Sequence, residues 1–454
     1  MEMLATETHQ SQRLDSLMSD SSPTKVRFHV LGITTLVAFL MYLDRACIGW
    51  IINAESFQSM GLDSTQKDHI ASAFFWAYAL AQMPAGWLSD RYGARVLMTI
   101  YIASWSLCTA ATSCSIGFMT LMIARLGTGL AEAGAYPASS SILTKWAHVE
   151  WRGLGSSIVS MGGRIGGALA PLLTAFVILR LGQWWPLESG EWRWAGWIYG
   201  VLGLLVAFAF WRVFREHPRQ HPRCNEAEIA LLAEGRGDFQ PTRDPPKRFP
   251  WAAALRSRNL WLMNLYQFLA NVGWVFMLNT LPKYLKEVMH VDDKTNGILS
   301  TLALAIAVIA LPIGGIVTDV CTRKLGPTWG RRLPLSLTRF FAAGSYLAAL
   351  AFDSPVMMAV AFGAVAFFAD FALPATWATM QDISGKHQAQ LFGWANMWGN
   401  FGAALQPAML AWIAFHFDAN HDYREAIWFS AGVFALAGIV ALGLDAKRPV
   451  VAAH

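Results

Sequence analysis

The sequence predicts an all-α membrane protein whose twelve transmembrane helices form two pseudo-symmetric bundles of six. Hydrophobic residues make up 55% of the 454 positions, which is enough to fill twelve membrane spans of roughly 21 residues each. Charged residues make up only 14%, against about 25% in ordinary soluble domains. The apolar runs fall into two sets of six, separated by a polar stretch rich in Pro and Arg. This division predicts the two bundles.

The composition also excludes several classes of protein. A soluble chain with so few charges could not cover its surface, which excludes a soluble enzyme, a nucleic-acid-binding protein and a disordered scaffold. An outer-membrane barrel is disfavoured because its strands alternate in polarity. The five cysteines are an odd number and form no C-x-x-C pair, so neither a disulfide framework nor a metal site is indicated. No cofactor is expected. No nucleophile–base pair or phosphate-binding loop is evident, so the protein is not expected to be an enzyme.

The predicted elements follow the apolar runs in chain order. Residues 1–27 are polar and are predicted to form a tail, because they lack the apolar core of a cleaved signal peptide. The first bundle, 28–213, contains spans at 28–50, 69–88, 96–115, 118–142, 153–180 and 193–213. The linker at 214–258 cannot cross a membrane because its charges are too costly to bury. The second bundle, 259–446, is followed by a tail at 447–454 and contains spans at 260–285, 296–319, 333–352, 355–383, 391–416 and 425–445.

Loop charges predict the orientation of the chain. Lysine and arginine collect after the even-numbered spans and in the linker, and such residues remain on the cytoplasmic side of a membrane. The main exception follows span 7, where Lys283, Lys286 and Lys294 occur. Both termini and the linker are therefore predicted to be cytoplasmic.

A loop motif occurs at equivalent places in the two halves. Between spans 2 and 3 the chain reads Gly86-Trp87-Leu88-Ser89-Asp90-Arg91-Tyr92-Gly93-Ala94-Arg95. Gly86 permits close helix contact, and Asp90 either caps a helix N-terminus or pairs with Arg91 or Arg95. The second copy is split by an insertion, Leu325 to Trp329. The residues predicted to control conformation are Gly86, Asp90, Arg91, Gly93 and Arg95, with Asp319 and Arg323 in the second copy.

Ionisable residues inside the spans are the strongest indication of a site. Such groups are costly in lipid and normally face a cavity or a partner. Arg125 and Glu132 are seven residues apart, so they lie on one helix face about 10 Å apart. A set of buried ion pairs that only orients helices is the structural alternative. The candidates are Asp44, Arg45, Arg125, Glu132, Arg164 and Asp370, with Asp382 less deeply placed.

The motifs together resemble the major facilitator superfamily, and within it the anion:cation symporter branch. The loop motif in a six-plus-six topology carries the first resemblance. The second rests on Tyr42-Leu43-Asp44-Arg45, on Arg125 to Gly134 followed by Tyr136-Pro137, on Gly162 to Pro171, on the His-Pro pairs of the linker, and on Asn396-Met397-Trp398-Gly399-Asn400. That branch includes bacterial sugar-acid transporters and, more distantly, sialin and the vesicular glutamate transporters. The resemblance implies a multi-pass protein of the bacterial inner membrane.

The resemblance also implies proton-coupled symport of a small organic anion, most simply a sugar acid, by alternating access. Asp44 and Glu132 match the proton carriers, and a carboxylate beside an arginine in a low-dielectric cavity can gain and lose a proton near neutral pH. Arg45 matches the group that grips the substrate carboxylate. Arg125 is expected on the approach from the cytoplasm, where it would couple proton release to conformational change. The expected partners are the anion, protons and the lipid bilayer, with the protein as a monomer and without nucleic acid.

Polar and aromatic side chains in the spans are expected to line a central cavity between the halves, with Arg45, Glu132, Trp377 and Asn396 in its wall. Asn396 and Asn400 lie one helical turn apart on one face. Arg164 is either a second anion-binding group or part of an ion pair, with Glu132 or another residue. The remaining candidates for binding the hydroxyl groups of a sugar are Tyr78, Gln267, Asn271 and Trp274.

Two other functions remain open at the level of sequence. An exchanger or uniporter for a small carboxylate would use the same fold, with Glu132 in a structural role. A membrane sensor would bind the anion without moving it, but neither the tail nor the linker is large enough for an output domain. A phosphate ester is disfavoured as substrate, because span 7 has no Arg or Lys before Lys283 whereas the organophosphate antiporters of the superfamily use basic groups in helices 1 and 7.

Overall fold

The computed structural model describes residues 22–188, 190–234, 249–416 and 423–451. Its first half contains six membrane-spanning helices, which we number α1 to α6. The fourth is broken after Glu132, where Gly134 packs so closely on Tyr101 that a Cβ would lie 2.1 Å from the ring. The helices are α1 (Val26–Asn53), α2 (Ser64–Tyr92), α3 (Ala94–Ser113), α4 (Phe118–Glu132 and Ala135–Trp146), α5 (Arg152–Trp184) and α6 (Arg193–Val213).

The second half repeats this arrangement and confirms the predicted twelve-helix fold. Helices α8 and α9 run together as Asp293–Ala349, but Gly326 has φ 76° and ψ 169° and separates them. We therefore assign 293–325 to α8 and 327–349 to α9. The other helices are α7 (Arg258–Glu287), α10 (Pro355–Phe371 and Leu373–Ile383), α11 (Gln388–His416) and α12 (Arg424–Leu442).

Not every helix is apolar enough to be recognised as a span from its composition. Seven helical segments of the described chain have the length and hydropathy of a membrane span, and one of them is the continuous α8–α9 segment. Helices α2, α4, α7 and α11 fall outside this group. For α4 the reason is its break, which leaves segments of 15 and 12 residues. Helices α2, α7 and α11 are long enough but less apolar, and they contribute Tyr78, Gln267 and Asn396 to the centre of the molecule.

The linker packs against the face at which α1 begins, and we call this face the linker side and the opposite face the far side. A short helix, Glu226–Ala233, places the fully buried Glu228 under α1. Its carboxylate accepts hydrogen bonds from the backbone N–H groups of Val26 and Arg27, at 3.2 and 3.0 Å, and from the Arg27 side chain. Burial alone would raise the pKa of Glu228, but the hydrogen bonds from Thr24, Arg27 and Val26 outweigh burial and lower it.

Glu216 occupies the equivalent place under α3. It accepts a hydrogen bond from the backbone N–H of Arg95 at 2.9 Å and pairs with Lys145 of α4. Because the N-terminus of a helix carries partial positive charge, Glu216 and Glu228 both stabilise the ends that they contact. The described linker is therefore a cap on the first half rather than only a tether.

The two halves share one hydrophobic core on the linker side and have separate cores on the far side. Leu143 and Val159 of the first half belong to one cluster with Met380 and Leu391 of the second. Towards the far side, the cluster around Ile48, Phe57 and Trp192 lies within the first half. The cluster around Leu281, Met358 and Ile427 lies within the second half. The halves are therefore closed against each other on the linker side, and the space between them faces the far side.

Candidate functional site

A cavity of about 160 Å³ lies between the two halves at mid-depth. This volume is below the roughly 300 Å³ of pockets for drug-sized ligands, which favours a small solute. All eight residues predicted to bind substrate lie in its wall: Arg45, Tyr78, Arg164, Gln267, Asn271, Trp377, Asn396 and Asn400. Tyr42, Tyr136, Trp274, Arg339 and Asp370 lie there too. Each helix except α3, α6, α8 and α12 contributes at least one of the described lining residues.

Arg45 joins the cavity to a buried carboxylate. Its Nη2 and Nε donate to the same oxygen of Glu132, Oε2, at 3.0 and 3.3 Å. The guanidinium also lies 4.4 Å from the ring centroid of Tyr78 and 4.9 Å from that of Tyr42. The expectation that Glu132 lines the cavity is wrong, because its side chain is completely buried behind Arg45. The other oxygen, Oε1, is buried without a hydrogen-bond partner in the described structure.

Asp44 and Arg125 form a second polar group, deeper within the first half. Asp44 is 1% exposed, and its carboxylate interacts with the indole N–H of the buried Trp105 rather than with a basic side chain in direct contact. Arg125 is 3% exposed and lies 4.7 Å from the ring centroid of Phe74. Electrostatic interactions connect Arg125 to both Asp44 and Glu132. One arginine is thus shared by two buried carboxylates.

Arg125 was expected on the approach from the cytoplasm, which the basic loops predict to be the linker side. Helix α4 begins at Phe118 on the far side and ends at Trp146 on the linker side, so Arg125 lies about two turns nearer the far side than Glu132. It cannot lie on the approach from the linker side. Its buried position beside two carboxylates agrees with a role in charge compensation, but not with a role at that entrance.

Arg164 bridges the two halves. Its Nη2 donates to Oδ1 of Asp370 in α10 at 2.6 Å, and its guanidinium lies 4.6 Å from the ring centroid of Trp274 in α7. Of the alternatives that the sequence left open, the structure shows an ion pair, and its partner is Asp370 rather than Glu132. The other oxygen of Asp370 is buried without a partner in the described chain. Because the pair crosses the cavity, it links the wall of one half to that of the other.

Sequence reasoning missed Arg339. This residue of α9 is 5% exposed and lines the cavity. Its Nε donates to the Tyr266 hydroxyl at 3.0 Å, and its guanidinium lies 5.3 and 5.2 Å from the ring centroids of Tyr266 and Phe434. The signal was present, because position 339 lies inside the predicted span 333–352 and an arginine there has the same cost in lipid as Arg45.

The amide side chains of the cavity are oriented by their own helices. Asn271 donates to the Gln267 carbonyl at 2.9 Å, and Asn400 donates to the Asn396 carbonyl at 2.8 Å. Each bond spans one helical turn and fixes the direction of the amide. Trp377 is 3% exposed and packs edge-on against Tyr136 across the halves, with ring centroids 5.0 Å apart. The wall therefore offers fixed polar groups beside flat apolar surfaces, which suits a polyhydroxylated solute.

The loop motif closes the linker side. Asp90, at the end of α2, accepts hydrogen bonds from the backbone N–H groups of Ala389 and Gln390 in the first turn of α11, at 3.0 and 2.8 Å. Asp319, at the end of α8, accepts from those of Gly153 and Leu154 in the first turn of α5, both at 2.8 Å. Each aspartate thus caps a helix of the opposite half. Of the alternatives that the sequence left open, the helix cap is the one that the structure shows.

The arginines of the motif have other partners. Arg91 stacks on Trp87 and Tyr92, and Arg95 contacts Trp211, so neither arginine forms an ion pair with Asp90 in the described structure. Gly93 separates α2 from α3 with φ 88° and ψ 145°, close to the values at Gly326 between α8 and α9. The two glycines are therefore equivalent. Asp319 lies seven positions before Gly326, whereas Asp90 lies three positions before Gly93, so α8 continues about one turn further beyond its aspartate than α2 does.

In the second copy, Arg331 rather than the motif residue Arg323 is the arginine that lies close to Asp319. Arg331 is 1% exposed, bonds Asp382 at 2.8 Å and approaches Asp319 to 4.0 Å, whereas Arg323 is exposed and interacts with Asp319 only at longer range. Arg152 of α5 also pairs with Asp382, at 2.6 Å. This network connects the halves on the linker side.

Comparisons with known proteins agree with this architecture. A sequence profile of the Major Facilitator Superfamily matches residues 34–407. The probable galactarate/D-glucarate transporter GudP of Bacillus subtilis is 27% identical, over 92% of this chain and 91% of its own. The probable sulfoacetate transporter SauU of Cupriavidus necator is 26% identical, over 93% and 94%. The solved proton:xylose symporter XylE, bound to 6-bromo-6-deoxy-D-glucose, superposes with a TM-score of 0.69 at 16% identity and covers 91% of this chain and 94% of that one. The chain is therefore a multi-pass membrane transporter, not an enzyme, and belongs to the major facilitator superfamily.

Proposed function

We propose that the protein is a proton-driven symporter that carries a small organic anion, a sugar acid, across the inner membrane of a bacterium by alternating access. The observation that carries this proposal is the pair formed by Arg45 and Glu132. A guanidinium in the cavity wall holds a carboxylate that has no exposure of its own. The binding of an anion and the charge of a buried acid therefore depend on one cation.

The coupling follows from competition for Arg45. A substrate carboxylate that reaches Arg45 can take over the hydrogen bonds that Glu132 Oε2 now accepts, because a guanidinium favours a carboxylate that it can hold with two donors. Glu132 would then be a buried anion without its counter-ion, which is costly. Uptake of a proton removes that cost, and Oε1, which has no described partner, is an atom that can carry it. Anion binding and proton binding thus favour each other.

Asp44 provides a second acid in the same half. Its carboxylate is buried beside the Trp105 indole, and Arg125 is the arginine that it shares with Glu132. A change in the charge of Glu132 therefore alters the environment of Asp44 through Arg125. We propose that the two acids titrate together during transport.

The contacts between the halves support alternating access. The aspartate caps and the shared core hold the linker side closed, and the separate cores leave the far side open. If the linker side is cytoplasmic, as the basic loops predict, this conformation faces outward and receives substrate. Transport then requires that the caps of Asp90 and Asp319 break while the far side closes.

The chemistry of the cavity supports a sugar acid as the substrate. Arginines bind the acid group, and Gln267, Asn271, Asn396 and Asn400 provide amide groups for hydroxyls. Relatives of this chain include a probable galactarate/D-glucarate transporter and a D-galactonate transporter. These are polyhydroxylated acids of a size that suits a small cavity.

The test is uptake by purified protein in proteoliposomes with an imposed pH gradient. We expect accumulation of a sugar acid that an uncoupler abolishes. Glu132→Gln, which mimics the protonated acid, is expected to retain exchange of internal and external substrate but to lose proton-driven accumulation. Asp44→Asn is expected to behave similarly. Glu150→Gln is the matched control, because Glu150 is exposed on the linker side and should leave both activities unchanged.

The competing functions give different results. An exchanger or uniporter would show the same counterflow in wild type and Glu132→Gln, without accumulation in either. A purely structural role for Glu132 would remove binding and counterflow together. Proton-driven accumulation that survives in Glu132→Gln would show that Glu132 is not a proton carrier.

A further inference from the structure

We infer that Arg339 is a second acid-binding group and that the substrate is a dianion with an acid group at each end. The inference deepens the proposed function and rests on it. Arg339 lies in the wall of the cavity in the second half, whereas Arg45 lies in the wall of the first. A solute between the halves can therefore contact one arginine from each.

The hydrogen bonding of Arg339 is incomplete. Its Nε is bonded to Tyr266, but its Nη1 is buried and has no hydrogen-bond partner among the described residues. An unsatisfied buried donor is costly, and a charged donor more so. The side chain is held between Tyr266 and Phe434, so it cannot move freely to find water. A carboxylate in the cavity would supply the missing acceptor.

The charges of the wall are also unbalanced. Arg45, Arg164 and Arg339 are cations, whereas Asp370 is the one acid among the described lining residues. Asp370 is paired with Arg164 at 2.6 Å. When Glu132 is protonated, Arg45 and Arg339 both lack a full counter-charge in the cavity. Two negative charges on the substrate would balance them, and one would not.

The geometry distinguishes this role from a structural one. Tyr266 and Phe434 hold the guanidinium in place, but neither side chain carries charge, so the structure supplies no anion in direct ion-pair contact with Arg339 in the described chain. Asp370 interacts with Arg339 electrostatically, but its hydrogen bond is with Arg164. A structural arginine would affect all substrates equally. An acid-binding arginine would affect only those with a second acid group.

The test compares two acids of equal chain length. Galactarate has a carboxylate at both ends, and galactonate has one carboxylate and a terminal hydroxyl. We expect wild-type protein to prefer galactarate. Arg339→Gln is expected to lower the affinity for galactarate by about tenfold or more, since a charged hydrogen bond contributes enough for that change, and to alter the affinity for galactonate by less than about threefold. Both are measured as half-saturating concentrations for uptake and as competition in counterflow.

Three further variants make the result decisive. Arg339→Lys keeps the charge and is expected to restore part of the preference for the diacid. Tyr266→Phe removes the bond to Nε and is expected to weaken the preference less than Arg339→Gln does. Arg332→Gln is the matched control, because it lies in the same helix but on the linker side, where it bonds the Leu444 carbonyl. It should leave the ratio of the two affinities unchanged.

The outcomes separate the inference from the proposed function. If wild-type protein takes up both acids and Arg339→Gln weakens both equally, or neither, the inference fails and the proposed function stands. If Arg339→Gln does not fold, Arg339→Lys and Tyr266→Phe decide the matter by the same ratio, and an unchanged ratio in both overturns the inference. If wild-type protein takes up neither acid and binds neither, the proposed function fails and the inference fails with it.

Discussion

Replacing Gly86 with alanine should open the linker side of the molecule. Gly86 lies in α2 against the first turn of α11, and a Cβ built on it would lie 2.3 Å from the Ala389 carbonyl oxygen. The carbonyl carbon of Ala389 and the Cα of Gln390 would lie at 2.6 and 2.8 Å. All three are backbone atoms, so no side chain can rotate away and relieve the contact. The two halves must move apart where α2 contacts α11, and we call this contact the seam.

The magnitude follows from the cost of overpacking. Inserting a methyl group into a packed interface that cannot relax costs about 1–3 kcal/mol. The cost applies only to the conformation in which α2 and α11 touch, so it shifts the equilibrium between the closed and open linker side by about 5- to 150-fold. Gly393 packs in the same seam, where a Cβ would lie 2.4 Å from the Gln82 carbonyl oxygen, and the same substitution there should act in the same direction.

The assay is a distance measurement between spin labels on the two sides of the seam. Tyr92 at the end of α2 and Lys386 before α11 are both exposed, so labels at these positions in a cysteine-free background should not disturb the contact. We expect Gly86→Ala to increase the population with the longer distance. Gly344→Ala is the matched control, because no other group lies within 4 Å of the added Cβ and it changes helix propensity to the same extent. Identical distance distributions in Gly86→Ala and wild type would refute the reasoning.

Two further predictions concern the site and the linker. Arg45→Lys keeps the charge but loses the planar pair of donors, so we expect at least about tenfold weaker anion binding, measured by counterflow. Unchanged affinity would show that another residue binds the acid group, with Arg164 as the next candidate. The lowered pKa of Glu228 means that its caps on α1 stabilise the fold above the ordinary carboxylate pKa of about 4.3 and that this contribution is lost as the pH falls through the lowered value. Glu228→Gln should therefore speed amide exchange in the linker helix at neutral pH compared with Glu226→Gln. The difference should shrink as the pH falls below about 4.3 and disappear below the lowered pKa of Glu228; equal exchange in the two variants at neutral pH would exclude the cap.

The loop motif shows how a local pattern can be informative without defining its partner. The positions of Gly86 and Asp90 at the end of a span were sufficient to predict close helix contact and a possible helix cap. Nothing in the sequence indicated that the capped helix would be α11, about three hundred residues further along the chain. The second copy was harder still, because the arginine that approaches Asp319 is Arg331, which lies in the next helix, rather than the nearer Arg323.

The ionisable residues of the spans show a second limit. Their cost in lipid was enough to single out Arg45, Glu132, Arg164 and Asp370, but the pairing of Arg164 with Asp370 depends on the relative rotation of α5 and α10. Arg339 was missed although it satisfies the same criterion, since it lies in an apolar run that reads as an ordinary span. Glu216 and Glu228 lie outside the spans, where a single acid carries no signal of a capping role.

The sequence by itself determined the number of helices, their division into two halves and the set of polar residues available for a central cavity. These features follow from composition over windows of about twenty residues, because lipid admits only segments whose backbone is satisfied internally and whose side chains are apolar or directed inward. Only the tertiary structure decided which charges pair, which side of the molecule is closed and which acid is hidden behind which arginine. Those properties depend on how helices rotate and pack against partners that are distant in the chain, as the contact between Gly86 and the first turn of α11 shows.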